Sequence, residues 1–282
     1  MLDAVRKIAK DLLRQGAVEG VLGLGEDDGG GAPRVFDDPG EIDALVLEPK
    51  WLLAKIVVSI MNRAPEGYRL AVVCRGCDER ALVELGKRNR IDPGRLHIIG
   101  VACSQGQADR CLCRRPWPSR VDAGVRARPA DLSGNDQIRK YLGGNRGERL
   151  EKWREAFARC IKCYGCRNAC PVCNCSPCKL EDGMWVHRGD FAPDMLTFHL
   201  VRAMHVADAC VGCGACQDAC PVDIPLMLLQ SPMQAALDHS YQYEAGTQPE
   251  RQSPLLSSYI EEPSRGISIP DWTDSLEARH GT

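Results

Sequence analysis

Two copies of one cysteine pattern constrain this chain more than anything else in its sequence. Cys160, Cys163, Cys166 and Cys170 precede Pro171, and Cys210, Cys213, Cys216 and Cys220 precede Pro221, so each set reads C-x2-C-x2-C-x3-C-P. Gaps of two residues let three sulfurs of one tight turn reach the same cubane iron–sulfur cluster, while the fourth points away to another. The spacing therefore predicts a crossed partition. Cys160, Cys163, Cys166 and Cys220 go to one [4Fe-4S] cluster, and Cys210, Cys213, Cys216 and Cys170 to a second. A structural zinc site wants two separated ligand pairs and has no use for third and fourth cysteines closing on proline. Gly165, Gly212, Gly214 and Ala215 suit a chain that turns sharply and faces its amides to cluster sulfurs, and such donors help set the reduction potential.

These eight are half of the sixteen cysteines in 282 residues. The net charge of -2, with 44% hydrophobic and 26% charged residues, is otherwise ordinary for a globular protein. Residues 1–7 mix acid and base and contain no apolar leader. The apolar stretch 51–61 is too short for a bilayer and carries Lys55. The expectation is a cytoplasmic protein with no membrane insertion, in a compartment where thiols stay reduced and clustered cysteines argue for metal ligation. Balanced charge and few aromatics leave no footprint for nucleic acid.

The predicted fold class is α+β, with an N-terminal α/β domain carrying a small parallel sheet and a C-terminal α-helical domain carrying the two [4Fe-4S] motifs. Domain boundaries are expected at 1–115, a Pro- and Gly-rich linker 116–135, the helical domain 136–232, and an extended tail 233–282 lying on a partner subunit. In the first domain, apolar runs at 18–24, 42–47, 68–74 and 96–103 read as strands, and 51–63 and 78–89 as helices. The glycine- and acid-rich stretch 25–40 reads as a flexible loop. Strand, helix, strand in this length is a βαβ unit. In an open parallel sheet, ligands bind beyond the carboxyl ends of the strands. Cys74 and Cys103 end two neighbouring predicted strands, so both thiols are candidate ligands at that edge. His187, His199 and His205 are assigned to packing or surface roles, because thiolates already satisfy the clusters.

Around the motifs, Leu150, Trp153, Ala156 and Phe157 recur at helical spacing before the first, and Leu196, Leu200, Ala203 and Met204 before the second. With Phe198-His199-Leu200 leading to Cys210 and Pro221-Val222-Asp223-Ile224-Pro225 closing the second motif, residues 146–230 resemble the α-helical ferredoxin domains of heterodisulfide-reductase small subunits and of succinate dehydrogenase iron–sulfur subunits. A second resemblance covers residues 10–105. The segment 12–21 and the strands ending at Cys74 and Cys103 look like the beta-subunit family of deazaflavin-reducing hydrogenases and formate dehydrogenases. That resemblance implies a third [4Fe-4S] cluster on Cys74, Cys103, Cys175 and Cys178, and leaves Cys77, Cys111, Cys113 and Cys173 without one. The family also carries a flavin, so FAD is an implied cofactor, although no glycine-rich flavin-contacting segment is found here and Pro49-Lys50-Trp51 replaces small residues. Together the resemblances imply an iron–sulfur electron-transfer subunit of a cytoplasmic anaerobic oxidoreductase complex. It would relay electrons through two or three clusters among partner subunits of hydrogenase, formate dehydrogenase or heterodisulfide-reductase type. The alternatives are a flavin-containing subunit that itself oxidises or reduces a soluble cofactor, and a zinc-stabilised interaction module.

Overall fold

The computed structural model describes residues 1–27, 30–175, 177–183 and 195–257. Its N-terminal half is built on a mixed sheet. Strand β1 (Gly20–Asp27) lies between β2 (Gly30–Phe36), antiparallel to it, and β4 (Leu70–Cys74), parallel to it. β4 in turn pairs in parallel with β5 (Leu96–Gly100), and the short β3 (Leu45–Val46) pairs antiparallel with the far end of β1. The sheet is therefore not wholly parallel, and stretch 25–40 is not a loop. Residues 30–36 pair antiparallel with β1, from Gly30 opposite Asp27 to Phe36 opposite Val21. The expected strand at 42–47 is mostly a 3-10 turn, Pro39–Ala44, entered through Asp38, whose carboxylate accepts from the Gly40 amide at 2.7 Å.

Side-chain alternation divides the sheet into two faces. Ala71 and Val73 join Val21 and Phe36 on the face covered by helix α1 (Leu2–Arg14), which contributes Val5 and Ala9 at helical spacing. Leu22, Leu70, Val72 and Cys74 face the other way, against α2 (Ala54–Met61) and α3 (Gly76–Lys87). Asp78, three residues into α3, closes its start. Its carboxylate accepts from the amides of Arg75 at 3.3 Å and Leu53 at 2.7 Å, and burial pushes its pKa up to about 6.

Beyond β5, α4 (Gln105–Arg110) starts on a Ser104–Gln107 capping box. Residues expected to be a linker then run along the sheet edge instead of away from it. Cys103 donates its amide to Pro116 at 2.9 Å, Ala123 and Asp122 donate to the Gly100 carbonyl, and Val101 bridges Ala123. The helical half comprises α5 (Asp136–Leu142), α6 (Arg146–Ala158), α7 (Gly165–Asn168), α8 (Met195–His205), α9 (Ala215–Asp218), α10 (Leu226–Tyr241) and α11 (Pro254–Ser257). Tyr141, Phe157, Phe198, Ile224 and Leu228 form its own core.

The two halves share a core: Cys170, Val172, Val206, Ala209, Val211, Tyr243 and Ala245 pack into the cluster that holds Leu22, Val72 and Leu85. At its rim the buried Glu84 of α3 accepts from Lys87 at 2.8 Å, Tyr243 Oη at 3.0 Å, the Gly246 amide at 2.6 Å and Arg88, which also holds Asp208 at 2.8 Å. The start of the expected extended tail is thus helix (233–241) followed by packed chain (243–246). Residues 258–282 and His187 lie outside the described residues.

Candidate metal centres

The two cysteine runs repeat one another in backbone conformation. Lys162 and Tyr164 in the first, and Gly212 and Gly214 at the equivalent positions in the second, all have positive φ, between 55° and 80°. This left-handed step carries a modest cost at Lys162 and Tyr164 that glycine avoids. It turns backbone amides toward sulfur: Lys162 N donates to Cys160 Sγ, Gly165 N to Cys163 Sγ and Ile224 N to Cys220 Sγ, each at 3.4 Å. The short helices α7 and α9 then carry the third cysteine of each run inward, and both Cys166 and Cys216 are buried.

Two cavities result, and each is walled by four thiols. Cys160, Cys163, Cys166 and Cys220 line one; Cys170, Cys210, Cys213 and Cys216 line another. The grouping is the crossed one. Buried polar atoms without partners border the same spaces. His199 lines the first cavity at 2% exposure with neither ring nitrogen bonded, its ring stacked on Phe157 at 4.2 Å. Arg202 and Gln230 line the second, with Arg202 Nε and Gln230 Oε1 unpartnered. Such donors are costly to bury without an acceptor, and an anionic metal–sulfur core supplies one for His199 and Arg202. The residues present therefore fit cubane clusters. Among the described residues, no group of three or more His, Cys, Asp or Glu converges tightly enough for a single metal ion. Four thiols border each of the two spaces, the number of ligands a cubane takes.

A third cavity lies between the halves, lined by the thiols of Cys77, Cys103, Cys111 and Cys113, with Cys213 shared from its neighbour. Of the third-cluster residues expected from sequence, the structure brings only Cys103 here. Cys74 sits on the inward face of β4, fully buried in the apolar core, because it alternates in step with Leu70 and Val72. Burial holds its thiol well above the ordinary range. Three residues later, Cys77 in the first turn of α3 occupies the place beyond the strand end that Cys74 was expected to fill. Cys111 and Cys113 follow α4 around Leu112, whose φ is 49°. Cys175 and Cys178 line a different, open cavity with Cys173.

Lys50 joins the second and third cavities. Its ammonium donates to Cys111 Sγ at 3.1 Å and the Cys213 carbonyl at 2.7 Å, and stands 3.8 Å from Asp218. Burial alone would lower its pKa, but negative charge on Cys77, Cys111 and Cys213, once those thiols ionise, raises it above the ordinary value. The thiols themselves are pushed up by burial, Cys77 and Cys210 to about 12 and Cys216 to about 11, so they ionise only as metal displaces the proton. The sequence left Cys77, Cys111 and Cys113 unassigned and gave His199 a packing or surface role, and neither Lys50 nor Arg202 stood out in it as a neighbour of these cavities. The C-x-C at 111–113, close after Cys103, was the available signal for the first three.

Comparison with known proteins agrees with this chemistry. A 4Fe-4S binding domain family matches residues 157–173, and a second family of the same description matches residues 202–222. The chain is 43% identical over 97 residues, 34% of its length, to the F420-dependent formate dehydrogenase subunit beta of Methanocaldococcus jannaschii, covering 26% of that protein. It is 31% identical over 165 residues, 53% of its length, to the F420-dependent formate dehydrogenase 1 subunit beta of Methanococcus maripaludis, covering 42% of it. The chain thus spans less than half the length of these relatives. Among the described residues no helix is long and apolar enough to cross a membrane. The chain thus carries two 4Fe-4S binding motifs of ferredoxin-like type and a region homologous to the beta subunit of F420-dependent formate dehydrogenase.

Proposed function

We propose that the chain is an iron–sulfur electron-transfer subunit of an anaerobic oxidoreductase complex of formate dehydrogenase type, with partner subunits supplying and accepting the electrons. The single observation that carries this reading is a set of three cavities, each with at least four thiols in its wall, of which Cys213 borders both the second and the third. Clusters bound there would supply one-electron storage and transfer. The ligands of the third are proposed to be Cys77, Cys103, Cys111 and Cys113. Around these cavities, the residues of the chain exclude water and place charge. Phe157, Phe198 and Ile224 bury the first site, Val172 and Val206 flank the second, and Lys50 and Arg202 set positive charge beside thiolates.

Iron and acid-labile sulfide counted on anaerobically purified protein test it. Cys77→Ser combined with Cys103→Ser removes about four irons, whereas Cys74→Ala leaves iron unchanged. Iron lost from the Cys74 variant and retained in the double variant would restore the strand-end ligand set, and a colourless, zinc-loaded protein would refute the relay altogether. A second reading, that the chain also holds a flavin, is favoured by a groove between the Cys113 and Cys210 walls. It presents Leu112, Ile138 and Met227 beside Arg80, Arg114 and Arg115, apolar surface for a ring and cations for phosphates. Acid-released yellow flavin in stoichiometric amount supports it; none released refutes it.

A further inference from the structure

Between Asp109 and Asp131 the chain carries Arg110, Arg114, Arg115, Arg120, Arg126 and Arg128 and neither lysine nor glutamate, although its net charge is -2. All six arginines are exposed. Three are neutralised locally: Arg114 stands 3.7 Å from Asp238, Arg115 2.6 Å from Glu244 and Arg120 2.8 Å from Asp122. Arg110, Arg126 and Arg128 meet no carboxylate among the described residues. The acids of the same stretch are engaged nearby, Asp109 by Gln105 at 3.0 Å, Asp122 also by the Gly100 amide at 2.7 Å and Asp131 by Ser133 at 2.7 Å. Among the free cations Val125 is 86% exposed, and the Arg126 guanidinium stands 5.9 Å from the centre of the Trp117 ring.

A run of like charge is by itself a solvated surface, but this one is fixed in place. The Arg128 amide donates to Gln105 Oε1 at 3.0 Å, and Gln105 Nε2 donates back to the Arg128 carbonyl at 3.2 Å. Ala130 donates its amide to the Cys113 carbonyl at 2.9 Å, and Arg126 Nη2 donates to the Ser119 carbonyl at 3.2 Å. Arg110 folds back along α4, its guanidinium 3.7 Å from where a Cβ on Gly106 would stand. The cations are thus mounted on the chain that carries Cys111 and Cys113, and a surface ordered in advance loses less freedom on binding. Position adds to this. Arg202 reaches from the second cavity to the Cys166 carbonyl of the first, and Cys213 borders the second and the third, so the third is an end of the sequence. Cys103, Cys111 and Cys113 are only half-buried there. Arginine is enriched and lysine depleted at protein interfaces. Single-stranded nucleic acid instead asks for several stacking rings, and Trp117 is the one aromatic residue between 109 and 131.

We infer that the face bearing Arg110, Arg126 and Arg128 is the docking surface of an acidic one-electron carrier protein that exchanges its electron with the third site. This rests on reading the three cavities as iron–sulfur sites, and it adds the class of the partner and the place where it docks. One electron crosses: the carrier is oxidised by one and the third site reduced by one, with no bond formed and no proton moved. Carriers of this kind bind through small, salt-sensitive contacts in which complementary charge sets the rate of encounter.

The test uses the full chain, purified anaerobically with its iron, and a small acidic ferredoxin, reduced beforehand, as the probe. Stopped-flow absorbance reads the second-order rate at which the chain takes the ferredoxin's electron. Arg126→Glu combined with Arg128→Glu slows that rate by about tenfold at low salt, and raising salt from about 20 mM to about 500 mM removes the difference. Iron content and midpoint potentials of this variant match those of the unmodified chain, which separates docking from damage to the sites. Lys7→Glu combined with Arg14→Glu makes the same change of charge at exposed positions of α1, and leaves the rate within about twofold. Equal rates in the Arg126/Arg128 variant and the unmodified chain, an equal loss in the Lys7/Arg14 variant, or no electron transfer to the iron-loaded unmodified chain overturns the proposal. Retention of polyuridylate at about 150 mM salt by the unmodified chain and not by the Arg126/Arg128 variant also overturns it, and gives the face to nucleic acid. Failure of the underlying reading looks different: the unmodified chain then contains no iron and takes no electron from a strong chemical reductant.

Discussion

Arg202 is a cation with almost no access to water, 3% exposed, and its position makes it the sharpest test of how the chain sets reduction potentials. Nη2 donates to the Cys166 carbonyl at 2.7 Å, on the wall of the first cavity, while the side chain lines the second and leaves Nε unpartnered. Arg202→Met keeps most of the volume and removes the charge. At a separation on the order of 7 Å and an effective dielectric of about 20, one unit charge is worth about 2.4 kcal/mol, or about 100 mV for a one-electron couple. Removing it favours the oxidised state, so both ferredoxin-type couples should fall by about 100 mV in an anaerobic redox titration followed by electron paramagnetic resonance. Arg202→Lys retains the charge and should hold both couples within a few tens of mV. The Met variant also leaves the Cys166 carbonyl without its donor, a stability cost of about 1–3 kcal/mol that a denaturation curve reads separately. Potentials unmoved in Arg202→Met, or moved equally in Arg202→Lys, would refute the electrostatic reasoning.

Lys50→Met should lower potentials at the second and third cavities by on the order of 50 mV while leaving the Cys160-containing site unchanged, which the same titration checks. Burial, with Arg202 close by, lowers the pKa of His199 from 6.5 to about 4. The unfolded chain therefore takes up this proton first as pH falls, and stability held above pH 6.5 is lost on the way to pH 4. The loss amounts to about 2 kcal/mol between pH 7 and pH 5, and His199→Phe should remove that part of the pH dependence in paired denaturation curves. At Gly100 an added Cβ would lie 1.9 Å from the Arg120 carbonyl oxygen, so Gly100→Ala should push the 115–123 segment off the sheet edge and destabilise by at least about 2 kcal/mol; an unchanged melting temperature would contradict that packing.

What could be read from sequence was local. A cubane ligand run lies within eleven residues, so its spacing alone predicts both the metal group and, through the outward fourth cysteine, the crossed pairing that the two cavities display. Helical periodicity located α6 and α8 within a few residues for the same reason. The proposed third site was not legible in this way, because the thiols that line its cavity come from the start of α3, the chain after β5 and the turn after α4, and only the fold brings them together. Strand alternation separated Cys74 from Cys77 although they are three residues apart, turning one into apolar core and the other toward a cavity. The glycine-rich stretch after β1 looked unstructured by composition, and pairing with β1 made it a strand. Lys50, His199 and Arg202 are common residues whose isolated positions carry no signal. Their chemistry comes from burial beside thiols, and burial is decided by tertiary packing alone.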